Sequence, residues 1–421
     1  MSTPEATSSS LPRNIVVLGV VYWSGSTTQR PQHLHQQLAR YFSVYYLEKP
    51  RNLLSVFFPQ RIRIWKRYSD FFRIVRRVTG GLFAITSVYF LPYKRTGWFF
   101  SRLTFLERLN QRIVCWYLKR ILRRRGVGDY ILWLEDMKWL PFIDWLNPAL
   151  VVYDCMDNRE AFPYAEAVRK RLGRLETEMD RRADLILVSS QFLRDKFKNP
   201  NIYALNNSTN FAHFAGVAYR CGRPGERPQV GYIGSIERWL DFDLLLWLVR
   251  ALPEYDFVLV GRIDSSVEKE RIAQLRGEPN VRFAGIVHYD ELPSYLERFS
   301  VAITPYEVSD LTRAIDPCKT YEYLAGGKPI VSSPLPEMEK FSRWVTIART
   351  LEEWVAGIRR GVEENDPTMA AERREVSRRN SWEARTSDLV RFLHSDQVIA
   401  LISHRRSGNY ATSRRHGVRK S

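Results

Sequence analysis

VGYIGSIERWLDFDLLLWLVRALPEYDFVLVGRID, residues 230–264, decides the fold. Two short runs of mostly aliphatic residues, 230–233 and 257–260, flank a leucine-rich stretch, 240–251, so the pattern predicts strand, helix, strand. Toward the C-terminus the alternation continues, with helices at 267–275, 292–299 and 319–325 and strands at 281–283, 301–304 and 330–332. Strands that lack polar alternation are buried on both faces, and the helices between them supply the cover; the result is a doubly wound parallel sheet. In the other direction lies YRCGRPGERPQ, residues 219–229, a Gly-, Pro- and Arg-rich segment without apolar period that reads as a linker. Before it a second alternation places strands at 15–21, 44–47, 150–153 and 185–188 and helices at 31–41 and 165–182. The expectation is an α/β protein of two doubly wound, Rossmann-like domains, 13–218 and 230–381. A helix at 382–402 is expected to pack back on the first domain. Residues 1–12 and the basic tail 403–421 are expected to be disordered.

A chain of 421 residues, 45% apolar and 26% charged, is long enough for two such cores. Its 64 Lys and Arg against 46 Asp and Glu leave a formal charge of +18, which calls for an anionic partner: nucleic acid, membrane surface or phosphorylated ligand. The excess is uneven. Residues 51–125 hold 18 Lys and Arg against two acids, Asp70 and Glu107. Within them RIRIWKRYSDFFRIVRRV repeats Ile62, Trp65, Phe72 and Val75 at helix-like spacing among arginines, followed by GLFAITSVYFLPY and KRTGWFFSRLTFLERL. A basic helix with an aromatic face suits a membrane interface; a core-facing helix with a solvated basic side fits the same residues. No run approaches the roughly 18–20 apolar residues of a membrane span, and 15–21 is too short and wrongly flanked for a signal peptide. The expected location is therefore cytoplasmic, peripheral on the inner face of the cell membrane. Cys115, Cys155, Cys221 and Cys318 form no Cys-x-x-Cys pair, so neither a zinc site nor a disulfide framework is indicated.

Chemistry gathers in DPCKTYEYLAGGKPIVSSPLPE, residues 316–337. Asp316 reads as a helix N-cap, Pro317 as the first helical residue, and Gly326-Gly327 as the stop before the strand at 330. A short helix thus begins at the C-terminal end of a parallel strand, where open α/β sheets bind ligands and where a helix N-terminus offers amides to a phosphate. Lys319 and Glu322, three apart, share a face: one suits a diphosphate, the other a ribose diol, and a surface ion pair is the plainer alternative. Gly231 and Gly234 close the first strand of the same domain, where glycine lets backbone approach a ligand. Arg238, in the following loop, either adds charge beside leaving phosphates or is simply solvated.

In order and spacing, 230–264, PNVRFAGIVHYDELPSYLERFSVAITPYE (279–307) and 316–337 resemble the donor half of two-domain GT-B glycosyltransferases of group 1, nearest to a bacterial subgroup of teichuronic-acid and exopolysaccharide transferases. Trp23 and RPQHL (30–34), VYDCMDN (152–158), ADLILVSS (183–190) and NNSTNFAHF (206–214) extend the resemblance more loosely to the first half. It implies a GT-B fold with two domains facing across a cleft. It also implies a nucleotide-diphosphate sugar, UDP-linked by default, as co-substrate, bound by Gly231, Gly234, Arg238, Pro317, Cys318, Lys319 and Glu322, with no cofactor. The acceptor implied is a lipid-linked saccharide or polysaccharide at an anionic membrane surface, not nucleic acid. Retaining members of the larger branch carry two glutamates eight apart, but eight residues before Glu322 stands Ala314. Inversion is therefore expected, and it needs a base for the acceptor hydroxyl.

Asp154 and Asp157 follow the strand at 150–153 and are the candidate bases, with His33 in RPQHL a third. Asp157-Asn-Arg-Glu160 equally matches a capping box. Paired aspartates as Mg²⁺ ligands fit less well, because the resemblance implies that Lys, Arg and helix amides manage the diphosphate without metal. Two other classes compete. An RNA-binding protein would account for the charge but not for the Lys319 and Glu322 helix, and no RNA-binding motif is present. A sugar-nucleotide epimerase would keep the donor site and add acid/base residues in place of an acceptor cleft.

Overall fold

A computed structural model describes residues 10–23, 29–52, 74–90, 104–219 and 226–407. Two parallel sheets organise the chain. In the first the spatial order is Ile202–Ala204, Leu185–Val188, Leu150–Cys155, Ile131–Leu134, Asn14–Leu18, Ser43–Leu47, Leu82–Ile85, Val75–Thr79; the last pair alone is antiparallel. In the second it is Val281–Gly285, Asp256–Val260, Gln229–Ile233, Phe299–Thr304, Ile330–Ser332, Thr346–Ile347, parallel throughout. Central strands such as Ile131–Leu134, Leu150–Cys155 and Phe299–Thr304 are buried at every residue, as sheets covered on both faces require. The GT-B architecture expected from the sequence is the architecture observed.

Each sheet reverses its strand order once, and ligand crevices in open α/β sheets form at such points. In the second sheet the reversal falls between Gln229–Ile233 and Phe299–Thr304; in the first, between Asn14–Leu18 and Ile131–Leu134.

Past the second sheet the chain returns. Helices Trp382–Leu393 and Asp396–Arg406 bury Trp382, Leu389, Leu393, Val398 and Ile402 in one core with Ile15, Val17, Leu38 and Leu185 of the first domain. Arg405 anchors the second of these helices on the buried Asp184 at 2.9 Å. A break at Ser395 divides what the sequence pattern suggested as one helix.

The basic segment also differs from its reading. Val75 belongs to an edge strand, Val75–Thr79, and Leu82–Ile85 pairs against it, so the helical spacing does not extend through residue 75. Among the described residues of this region the helix is Thr104–Arg124. Ile62, Trp65, Phe72, KRTGWFF, the middle of the linker and the tail from 408 lie outside the described residues.

Candidate active site

The donor side is built where the second sheet reverses. Gly234 ends the strand Gln229–Ile233 with φ +149°, a conformation open to glycine, and a Cβ there would lie 2.7 Å from Cε of Lys319. Glycine at 234 therefore leaves room for the lysine. Lys319 projects from the helix Cys318–Ala325 and lies over the rings of Tyr232 and Tyr306, its Nζ 5.2 and 5.1 Å from their centroids, while bonding the Tyr306 hydroxyl. Burial works to lower its pKa, but the Tyr306 oxygen, Cys318 and Glu322 outweigh that, and the ammonium is held charged. Glu322, one turn on, is pushed up to about 7 by burial, with Lys319 pulling the other way. No side chain caps the start of this helix, which leaves the amides of Cys318 and Lys319 without a side-chain acceptor at the cap.

Several expectations need correction. Asp316 does not cap the helix: Pro317 is the capping residue, in extended backbone, and Cys318 is the first helical residue. Asp316 is instead buried against the first domain, and burial raises its pKa. Cys318 is half-buried, its thiol pushed up to about 12 chiefly by burial. Gly231 owes its place to packing rather than to ligand approach, since a Cβ would fall 2.1 Å from the Phe299 ring. Arg238 is exposed in the loop before the helix Phe242–Ala251. Ala314 is buried in the core of the first domain, so no carboxylate stands at that position.

On the acceptor side the two aspartates part company. Asp154 lies inside the strand Leu150–Cys155, and its side chain, 1% exposed, is bound by Arg30 at 2.9 Å. It is buried and engaged in this ion pair. Asp157 follows the strand end and is exposed, yet the walls around it desolvate it enough to raise its pKa against the pull of Arg159 and Arg30. Its neighbour Asn158 donates to the carbonyl of Asp310 at 3.3 Å, which sets this turn against the second-domain loop leading to the 318–325 helix. Asp157 caps no α-helix. Asn158 precedes a 3-10 turn, Arg159–Ala161, without a side-chain cap bond, and the α-helix begins only at Glu166. His33 sits between Tyr289 of the second domain and Trp382, ring centroids 5.8 and 6.3 Å away; burial and nearby His213 lower its pKa to about 4, leaving it neutral and weakly basic.

Sequence reasoning missed the polar floor beneath this half. Glu135, just past Ile131–Leu134, accepts from the Tyr46 hydroxyl at 2.7 Å and the Val20 amide at 3.0 Å, and lies 2.8 Å from His35 Nε2, all at the reversal point of the first sheet. An acid directly after ILWL was the available signal. Among the described residues no three His, Cys, Asp or Glu side chains gather as a metal site.

Two parallel-sheet domains with facing strand ends define a GT-B glycosyltransferase fold. Residues 227–364 match the family model "Glycosyl transferases group 1", and the two-domain fold around them is GT-B. A Bacillus subtilis (strain 168) protein named "Putative teichuronic acid biosynthesis glycosyltransferase TuaH" is 25% identical over 264 residues, 58% of this chain; the match spans 66% of that relative's length. Among solved structures, sucrose-phosphate synthase from Thermosynechococcus elongatus superposes with a TM-score of 0.65 at 15% identity, covering 90% of this chain and 98% of that one. Anabaena Alr3699/HepE in complex with UDP and glucose gives 0.59 at 12% identity, covering 91% and 99%. A trehalose-6-phosphate synthase studied for glycosyl transfer with retention gives 0.61 at 12% identity, covering 91% and 99%. At these identities the structural likeness speaks for the fold.

Proposed function

We propose that the chain transfers a sugar from a nucleotide-diphosphate sugar, UDP-linked by default, to a lipid-linked saccharide or polysaccharide in bacterial cell-surface polysaccharide assembly. The observation that carries this reading is Lys319, charged and held between two tyrosines beside an uncapped helix start, with Glu322 one turn along. The ammonium and the first helix amides suit the two phosphates, and Glu322 suits the ribose hydroxyls. TuaH, named for teichuronic acid, favours a surface polymer, and the UDP in the HepE complex favours a uridine donor.

Asp157 is the base in this reading. The acceptor oxygen attacks the anomeric carbon, the new C–O bond forms as the bond to the diphosphate breaks, and the hydroxyl proton passes to Asp157 Oδ. A raised carboxylate pKa brings the base closer to neutral pH, where proton transfer is most effective. Asp154, already held by Arg30, and His33, only weakly basic, are less suited. Attack opposite the leaving group inverts the anomeric centre. Charge on the diphosphate is met by Lys319 and amides, without metal.

Support for an acceptor at a membrane comes from the helix Thr104–Arg124. One face buries Val114, Leu118 and Ile121 in the first core. The other exposes Phe105, Leu109 and Trp116 among Arg108, Arg112, Arg120, Arg123 and Arg124. Glu107, the sole acid of the helix, is engaged by Arg171 at 2.6 Å. Apolar rings amid arginines suit an interface with anionic lipid. Asn110 and Gln111, both buried, tie the helix to the backbone at residues 90 and 138, the latter just past a strand end of the first sheet. No helix among the described residues is long and apolar enough to cross a membrane.

The test is incubation with radiolabelled UDP-sugars and bacterial lipid extract in anionic vesicles, with the product's anomeric configuration read by NMR. Label transferred to the lipid phase by vesicle-bound protein, with inverted configuration, is the expected result. No transfer from any sugar nucleotide would contradict the reading, retained configuration would remove Asp157 as base, and protein left in the supernatant at low salt would remove the membrane.

A further inference from the structure

Between the two halves runs a buried polar chain, of which the chemistry above uses only the pull of Arg30 on Asp157. Arg30, the first residue of the helix Arg30–Leu38, is 7% exposed. Its Nη2 donates to Asp154 Oδ1 at 2.9 Å and its Nη1 to the Leu205 carbonyl at 2.9 Å and Asn207 Oδ1 at 3.0 Å, while the guanidinium lies over the Trp382 ring. Asn207 then crosses to the second domain: its amide N–H donates to Asp316 Oδ2 at 2.7 Å and its Nδ2 to the Asp316 carbonyl at 2.6 Å. Asp316, 1% exposed, also accepts from the Tyr321 hydroxyl at 2.9 Å and from Lys340 Nζ at 3.1 Å. Lys340 binds Glu337 as well, and Glu337 accepts from the Gln191 amide at 2.7 Å and Asn206 Nδ2 at 3.0 Å, a second crossing between the domains.

We infer that Arg30 and Asn207 are positioning residues: through Asp154 at one end and Asp316 at the other they fix the register of the two domains, so that Asp157 and the 318–325 helix meet across the cleft in one geometry. The inference rests on the transferase reading for its consequence in rate, but not for its geometry. Asp154 stands three residues before Asp157, and Asp316 three before Lys319, so each end of the chain is tied to one half of the site. Apolar interfaces tolerate sliding. A buried carboxylate does not, because a partly satisfied polar network in a low-dielectric interior costs more than none. Any rotation that draws Asn207 from Asp316 breaks both bonds between them and leaves the desolvated acid only Tyr321 and Lys340 of its own domain, and the bonds of Glu337 to Gln191 and Asn206 penalise the same motion.

Two variants test this: Asn207→Ala, which keeps the backbone bond, and the pair Arg30→Met with Asp154→Asn, which removes both buried charges together. In each, kcat is expected to fall about 10²-fold, the scale of an ångström-level misplacement, with UDP affinity unchanged. Amide hydrogen exchange supplies a readout independent of turnover. The Gln191 amide, bonded to Glu337 away from either substitution, should exchange faster in both variants. Unchanged exchange at Gln191 would overturn the coupling, and faster exchange with unaltered kcat would overturn its role in alignment. If wild-type protein transfers no sugar, the transferase reading fails while the exchange at Gln191 still decides whether the network couples the domains. Melting temperatures identify a variant that has simply lost its fold, and the milder Asn207→Ala then decides.

Discussion

The donor helix and the base-bearing turn differ in how they are put together. Around Lys319 the working parts come from one short stretch, 316–327, and two strand ends close beside it. Asp157, by contrast, depends on residues far apart in sequence: Arg30, which pulls on its pKa; Asp310, whose carbonyl receives Asn158; and Arg159, itself held by Asp136. A phosphate site can be local because backbone amides and one cation suffice. A base must be aimed at a second substrate, which takes parts from both domains. The donor side should therefore tolerate distant change, and the acceptor side should not.

The largest effect expected from breaking this contrast is at Asp157. Asp157→Asn keeps shape and polarity but cannot take the proton, so kcat should fall about 10²- to 10⁴-fold, with UDP affinity and melting temperature near wild type. The outcome is read from steady-state rates beside a UDP titration. Near wild-type turnover in a folded variant would move the base elsewhere.

A smaller effect sharpens the donor side. Glu322 stands at about 7 against an ordinary 4.5 because burial disfavours its charge. With the folded pKa raised, its contribution to stability is fully present below about 4.5 and is lost as pH rises through about 7. Glu322→Gln should thus raise the melting temperature more at pH 8 than at pH 5, by roughly 2–4 °C per kcal/mol recovered. UDP affinity in the wild type should rise over the same interval, as the carboxylate becomes the better acceptor for ribose hydroxyls. The glutamine variant should show a flat profile; a wild-type profile flat from pH 6 to 8 would take Glu322 out of the ribose site.

The same contrast explains what the sequence disclosed. Strand and helix alternation, and the helix bearing Lys319 and Glu322, were legible because apolar runs and a Gly-Gly stop are local signals. Asp316 was misread because Asp-Pro before a helix looks like a cap, and only the docked first domain shows its carboxylate turned inward to Asn207. Gly231 was misread for the same reason, since the Phe299 ring that requires it lies 68 residues on. Asp154 and Asp157 looked equivalent in VYDCMDN. One falls within the strand and is taken by Arg30, 124 residues away, while the other clears the strand end. Spacing within one segment carries no trace of such partners.

The most direct measurement of the central claim is a calorimetric titration of UDP into wild-type protein and Lys319→Ala. Lys319 is held charged by Tyr306, Cys318 and Glu322 at the start of the 318–325 helix, so the wild type should bind and the variant should bind about 10- to 100-fold more weakly, the worth of one charge-assisted hydrogen bond of about 1.5–3 kcal/mol. Equal affinity in a variant that melts like the wild type would contradict the account, because the nucleotide would then lie somewhere other than on this helix.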